Sequence, residues 1–335
     1  MDANVEKVEK RKPSKKKITS ITVIVILFLL AAAIFGGVNY FLGKINRETV
    51  ADDVSVHEEI FETDVYNESL EAVEPEDVEW DNKSVYDDSD LINILIAGQD
   101  GRGETGRTRT DVMILLSFNP ATNEVSMISF LRDMYVQIPG YADNRLNSAY
   151  LFGGFPLLRN TFKTNFDISI DGCFRIDFEG FEDVIDILGG VDVELTAAEA
   201  KIIGDGAHEG VSHLDGDHAL MYELIRRLDS DFGRTGRQRN ILNAVFNKVK
   251  KASVSELLKL VDTILPYLST DMSNAQIAKM AMKYAPALAS LKISTYSIPA
   301  DGAYKSAMVR GMAVLIPDLY ANKQLLFEEY LPFNE

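Results

Sequence analysis

The stretch "GQDGRGETGRTRTD", residues 98–111, puts Asp100, Arg102, Arg107, Arg109 and Asp111 in the connection between two apolar runs. Carboxylates among guanidiniums combine a hard-oxygen metal site with an anion site. Mg²⁺ takes oxygen ligands and keeps several waters, so two carboxylates plus a ligand's phosphate oxygens suit it. This reading needs the two runs to lie side by side and antiparallel, which brings Asp100 and Asp111 together. The alternative is a solvated turn rich in glycine and charge. A second candidate is Arg132-Asp133 in "SFLRDMYV", since a charged pair inside an apolar run is costly to bury unless satisfied. Its alternative is a structural ion pair. The third is "RRLDSDFGRTGRQRN", residues 226–240, five arginines in a chain of formal net charge -17. A planar guanidinium holds phosphate or carboxylate through two parallel hydrogen bonds. The alternative is a solvated helix start in which Asp229 and Asp231 pair with the arginines.

Other chemistries find little support. His208, His213 and His218 recur every five residues, which does not place them on one helical face, so a zinc site is not expected. The single cysteine, Cys173, excludes an intrachain disulfide and reads as a small buried apolar residue. The sequence has no nucleophile elbow, no Walker loop and no dinucleotide fingerprint in a strand-helix context.

The elements that must position these residues begin after an unusual N-terminus. Residues 1–17 are basic and read as a cytoplasmic tail. Residues 18–43, "ITSITVIVILFLLAAAIFGGVNYFLG", carry no charge and are long enough to span a bilayer as a helix. The preceding Lys/Arg cluster puts the N-terminus in the cytoplasm and the rest outside, anchored to the cell membrane by a single pass. That topology removes nucleic acid as the partner of the arginines. Residues 48–90 hold seventeen Asp and Glu against one Lys. Such a segment buries too little apolar surface to fold alone, so 44–87 is expected to be an extended acidic linker.

From about 88 to 335 the pattern is that of one layered α/β/α sandwich with a mixed central sheet. Strands are expected at 91–98, 111–120, 124–140, 168–178 and 191–195, with the second and third joined as a hairpin through "NPATNE". A helix-like pattern at 145–166 is interrupted by Gly-Gly, and another at 179–190 stops at glycine. The stretch "GAHEGVSHLDG" reads as loop. Helices follow from "GDHALMYELIRR" to about Leu288, then the strands "KISTYSIP" and "MAVLIP", then a final helix in "DLYANKQLLFEEYL".

The segments "NILIAGQD", "RTRTDVMILLSFNP", "ISFLRDMYVQIPG", "RLNSAYLFGG", "RIDFEGF", "ILGGVDVEL", "LDGDHALMY" and "DFGRTGRQRN" run in order from about Asn93 to Asn240. In order and spacing they resemble the LytR-CpsA-Psr family of cell-wall enzymes, and the tail resembles members with an extended C-terminus. The resemblance implies a mixed sheet flanked by helices, with a long apolar pocket for a prenyl chain. It implies transfer of a glycopolymer (teichoic acid, capsule or a related glycan) from a polyprenyl-pyrophosphate carrier to peptidoglycan through a phosphodiester. Carried onto this chain, Asp100 and Asp111 match the Mg²⁺-holding carboxylates. Arg109 and Arg132 match pyrophosphate-binding arginines, Arg226 the second arginine of an Arg-x-Arg pair, and Arg234, Arg237 and Gln238 a polar stretch near the head group. Arg102 joins the pyrophosphate candidates, and Asp133 is the candidate proton acceptor. Two positions depart from the family. Leu224 stands where the first arginine of the pair is expected, and Gly101 where many members carry arginine. The rival readings are a polyprenyl-pyrophosphate hydrolase using the same residues, and a non-catalytic lipid-binding protein of wall assembly.

Overall fold

The computed structural model describes Gly37, residues 39–48, Asp64, residues 69–80, 87–88, 90–99, 107–225, Leu228, residues 231–249, Lys251, and residues 253–284 and 290–333. The chain separates into two compact units, Met1–Lys44 and Ile45–Glu335. The basic tail and most of the expected membrane helix lie outside the described residues. Among the described residues no helix is long and apolar enough to cross a membrane.

The second unit is a mixed α/β fold. In chain order its strands are β1 (Asn46–Arg47), β2 (Glu71–Ala72), β3 (Ile92–Gln99), β4 (Thr110–Asn119), β5 (Glu124–Phe130), β6 (Tyr135–Val136) and β7 (Asn144–Arg145). They continue as β8 (Gly172–Asp177), β9 (Val191–Leu195), β10 (Gly210–Leu214), β11 (Leu268–Thr270), β12 (Lys292–Ile298), β13 (Tyr304–Val309) and β14 (Met312–Pro317). The central sheet has the order β1-β11-β8-β3-β4-β5-β12. β3 pairs antiparallel with β4 and parallel with β8, while β12 joins β5 in parallel. β3 is mostly apolar because helices cover both of its faces; its polar residues, Asn93 and Gln99, sit near its ends and are buried.

Alternate residues of these strands supply the two faces. On one, Leu95, Met113, Leu115, Ile128 and Cys173 form the main core with the helix Ser148–Phe166. Phe130 anchors that face, with its ring 4.7 Å from Phe162 and 5.0 Å from Phe166. On the other, Ile96, Val112, Ile114 and Ile176 face Phe181 of the helix Phe178–Ile187 and Leu242 of the helix Asp231–Val249. A second cluster, including Val191, Val193, Ile203, Tyr222 and Ile241, packs the β9-β10 hairpin against the neighbouring helices.

The helix 148–166 bends at Gly153 and Gly154, as the Gly-Gly pair foretells. Gly154 has φ 60° and ψ -156°, outside what an L side chain adopts, and a Cβ there would lie 3.0 Å from Arg107 Nη1.

Several elements differ from expectation. The third strand stops at Phe130 because Arg132 and Asp133 turn the chain toward their ionic partners. "GVSHL" is strand β10 rather than loop, paired with β9 so that its alternate residues are buried. A short helix at Ala197–Ile203, closed by a reciprocal Thr196–Glu199 capping box, also escaped notice.

Parts of the acidic segment pack on the domain. Glu71 and Ala72 pair with β13, Val78 is buried, and Trp80 stacks on Tyr135 at 6.0 Å while its indole N–H donates to Asp143 Oδ2 (3.0 Å). Average composition conceals these few apolar anchors among many acids.

Candidate functional site

The site is built where β3 and β4 part. Gly98 lies opposite Val112 but Gln99 lies opposite Thr110, so Asp111 is an extra residue in β4, a β-bulge. Bulges re-aim side chains, and this one presents Asp111 to Arg132. The close approach needs Gly98, whose missing Cβ would lie 2.9 Å from that of Val112.

Arg132 Nη1 donates to Asp111 Oδ1. Its Nε lies 3.4 Å from Asp133 Oδ2, and Asp133 Oδ1 lies 3.6 Å from Arg145 Nε. Arg145 in turn donates through Nη2 to Asp64 and to the carbonyl of Ala313 (2.9 Å). Charges therefore alternate along Asp111, Arg132, Asp133, Arg145 and Asp64. Each guanidinium is held in place by carboxylates on both sides, so little reorganisation is needed when an anion arrives.

Arg109 stands beside this ladder, its Nε donating to Ser148 Oγ at 3.4 Å, the first residue of the helix 148–166. Across the strand ends, Arg175 donates to Gln99 Oε1 (2.7 Å) and Ser269 Oγ (2.8 Å), and lies 3.1 Å from Glu48. Glu48 also accepts from the Tyr150 hydroxyl (2.5 Å). Burial, and next the Glu48 charge, push the Tyr150 phenol up, so it serves as a neutral donor.

Of the residues singled out in the sequence, Arg109, Asp111, Arg132 and Asp133 come together here. Asp100, Arg102 and Arg226 lie outside the described residues, as does the Arg234 side chain. Gln238 is buried in the wall of a cavity of about 60 Å³ lined by Ile96, Gly98, Val112, Ile114 and Leu242, next to the bulge. Arg237 is 3 % exposed and its guanidinium is engaged internally, with Glu199 at 3.3 Å and the carbonyl of Ile225 at 2.7 Å. It ties the helix 231–249 to the segment just before Arg226. Leu224 is the half-buried C-cap of the helix Gly216–Glu223.

Sequence reasoning missed Arg145 and Arg175. The signal that drew attention to Arg132 and Asp133, opposite charges inside an apolar run, was present in "CFRIDF" as well, where Arg175 stands two residues before Asp177. His208, His213 and His218 stay apart as hydrogen-bonded surface residues, and among the described residues no metal-binding cluster of three ligands forms.

The arrangement gathers arginines, paired with carboxylates, at the strand ends near a small apolar cavity. The chain is 36 % identical over 213 residues to the polyisoprenyl-teichoic acid–peptidoglycan teichoic acid transferase TagU of Oceanobacillus iheyensis, covering 61 % of this chain and 66 % of that protein. It is 33 % identical over 258 residues to TagU of Bacillus subtilis, covering 76 % of each. The solved structure of TagT bound to LI-WTA is similar with a TM-score of 0.59 at 28 % identity, over 74 % of this chain and 94 % of that one. The LytR_cpsA_psr family model matches residues 56–326, the span that holds the bulge, the charge ladder and the apolar slot, and the chain belongs to that family.

Proposed function

We propose that this chain is a membrane-anchored, extracytoplasmic, Mg²⁺-dependent phosphotransferase that moves a glycopolymer from a polyprenyl-pyrophosphate carrier to peptidoglycan. The observation that carries this reading is the Arg132–Asp111 pair at the bulge, directly beside the apolar slot. Its relatives' names, and the neighbour TagT bound to LI-WTA, support the substrate class.

Arg132 and Arg109 bind the pyrophosphate, joined by Arg102, Arg226 and Arg234. Asp100 and Asp111 have the donor chemistry for Mg²⁺, hard oxygens next to a phosphate site, and the bulge takes Asp111 out of the β3-β4 strand pairing. When bound, the ion supplies positive charge against the leaving phosphate. The prenyl tail enters between the sheet and the helix 231–249, which requires Phe181 and Leu242 to part from Ile96 and Ile114. The acceptor hydroxyl oxygen bonds to the sugar-side phosphorus as the bridging P–O bond breaks, and the electron pair departs with polyprenyl phosphate. Asp133 takes the proton as general base.

The test incubates the full chain in detergent with a synthetic polyprenyl-pyrophosphate saccharide and a peptidoglycan oligomer, with and without Mg²⁺. Saccharide joined to the oligomer only with Mg²⁺ is expected. Free saccharide phosphate without joining would instead identify a hydrolase, and lipid binding without turnover a binding protein.

A further inference from the structure

A second cavity, of about 290 Å³, has Arg132 in its wall. It is lined by Arg132, Asp133, Arg145, Asp64, Ser306, Leu70 and the strand Ala313–Leu315. Resting on the function proposed above, we infer that this cavity is the acceptor subsite and holds one saccharide unit of a peptidoglycan glycan strand.

The first argument is directional. In phosphoryl transfer the attacking and leaving oxygens lie roughly in line on opposite sides of phosphorus. The leaving polyprenyl phosphate is tied to the apolar slot, which lies over the sheet face formed by Ile96, Val112 and Ile114. The second cavity belongs to the opposite face. Its wall residue Leu315 packs against the core cluster that contains Leu95, Met113 and Leu115. Arg132 is a wall of the second cavity and pairs with Asp111, the bulge residue next to Val112, which lines the slot. A hydroxyl delivered from the second cavity therefore approaches the phosphorus from the side away from the leaving group.

The second argument is chemical. A sugar ring offers hydroxyls around its edge and C–H groups on its faces. Asp64, Asp133, Arg145 and Ser306 supply acceptors and donors, while Leu70, Val314 and Leu315 supply apolar wall. The volume sits at the lower end of the roughly 300–1,000 Å³ typical of small-molecule pockets, which suits one ring rather than a polymer.

The third is rigidity. The Leu315 N–H donates to the Asp133 carbonyl (3.0 Å), Arg145 donates to the Ala313 carbonyl, and the Ala313 N–H donates to Asp64 (2.7 Å). Ser306 faces Leu315 across the β13-β14 hairpin. The hairpin is thus pinned to the same ionic ladder that orients Arg132, so the acceptor wall and the pyrophosphate arginine are fixed in one frame.

The test uses the full chain in detergent and fills the cavity by Ser306→Trp and, separately, Leu70→Trp, with thermal unfolding as the control for folding. Binding of a peptidoglycan disaccharide-peptide oligomer, followed by calorimetry, is expected to weaken about tenfold or more in both variants. Binding of the polyprenyl-pyrophosphate saccharide is expected to stay unchanged, and in turnover only the KM for acceptor rises. A folded variant that binds acceptor as the parent does overturns the inference. So does parallel loss of donor and acceptor binding, and so does a parent that binds no acceptor. If the parent binds acceptor in this cavity but transfers nothing, the transferase reading fails and the subsite stands. If it transfers and the acceptor KM ignores both substitutions, the reverse holds.

Discussion

The carboxylate of Asp111, displaced from the β4 ladder by a one-residue bulge, receives the guanidinium of Arg132 from the turn after β5. Two consecutive strands of the sheet thereby fix one arginine at the strand ends, next to the apolar slot. Removing a single preorganised donor of this kind from a transition state costs about 10²–10³ in rate. Arg132→Ala is expected to lower the initial rate of saccharide transfer by that amount. Asp111→Asn, which keeps shape and removes charge, is expected to lower it too. A rate within a few-fold of the parent in both would remove the pair from the mechanism.

Leu224 is expected to limit turnover. It caps the C-terminus of the helix 216–223, where a cation is favoured by the helix dipole, so Leu224→Arg is compatible with the fold. One charge-assisted hydrogen bond is worth about 1.5–3 kcal/mol. Gaining it in the transition state corresponds to about tenfold or more in kcat/KM. An unchanged kcat/KM would show that the pyrophosphate does not reach this position.

Arg237 is expected to act through stability. Breaking a buried ion pair by removing one partner costs about 3–5 kcal/mol. Arg237→Met removes the cation from Glu199 Oε1, whose other oxygen keeps Thr196, and the donor from the Ile225 carbonyl. Urea denaturation should show the midpoint falling with little change in slope. A full-stability variant that has lost only pyrophosphate affinity would assign Arg237 to the ligand instead.

Asp215 caps the helix 216–223, accepting from the His218 N–H (3.0 Å) and from its ring (2.6 Å). First the backbone N–H and then the ring hold its carboxyl below its ordinary value of 3.8. A carboxyl whose folded pKa is depressed contributes stability above the unfolded value and loses it as the pH falls through the folded one. Asp215→Ala is therefore expected to cost about 1 kcal/mol at neutral pH. That difference should close in acid. Parallel stability curves down to low pH would contradict this.

Burial pushes the Cys173 thiol up to about 12. Thiolate is the reactive form, so the folded protein should resist iodoacetamide at about pH 8 and react once unfolded in urea. Mass spectrometry of the folded sample showing rapid alkylation would be inconsistent with that burial.

Legibility in the sequence followed the strength of local signals. The strands at 92–99 and 110–119, the hairpin of the latter with β5 and the Gly-Gly bend in the helix 148–166 were readable because long apolar runs, an Asn-Pro turn and paired glycines admit few conformations. The convergence of Arg132 on Asp111 was not readable, since a bulge depends on register and leaves no local mark. β10 and β13 were hidden because their side chains do not follow a simple alternation of apolar-in and polar-out. β10 buries Ser212 and exposes Val211, and β13 buries Ala307, Met308 and Val309 in succession. The ionic ladder through Arg145 and Asp64 spans 81 residues of chain, and no spacing rule connects such a pair.

The stacking of Trp80 on Tyr135 gives the protein an internal optical reporter. Trp80 is the chain's single tryptophan, so its emission comes from one place: the contact between the acidic segment and the strand that follows the Arg132–Asp133 turn. Undocking of that segment, by substitution or by salt, would expose the indole to water and release it from Asp143. The resulting shift in fluorescence could be followed in real time, without a label, while the ladder a few residues away meets its substrates.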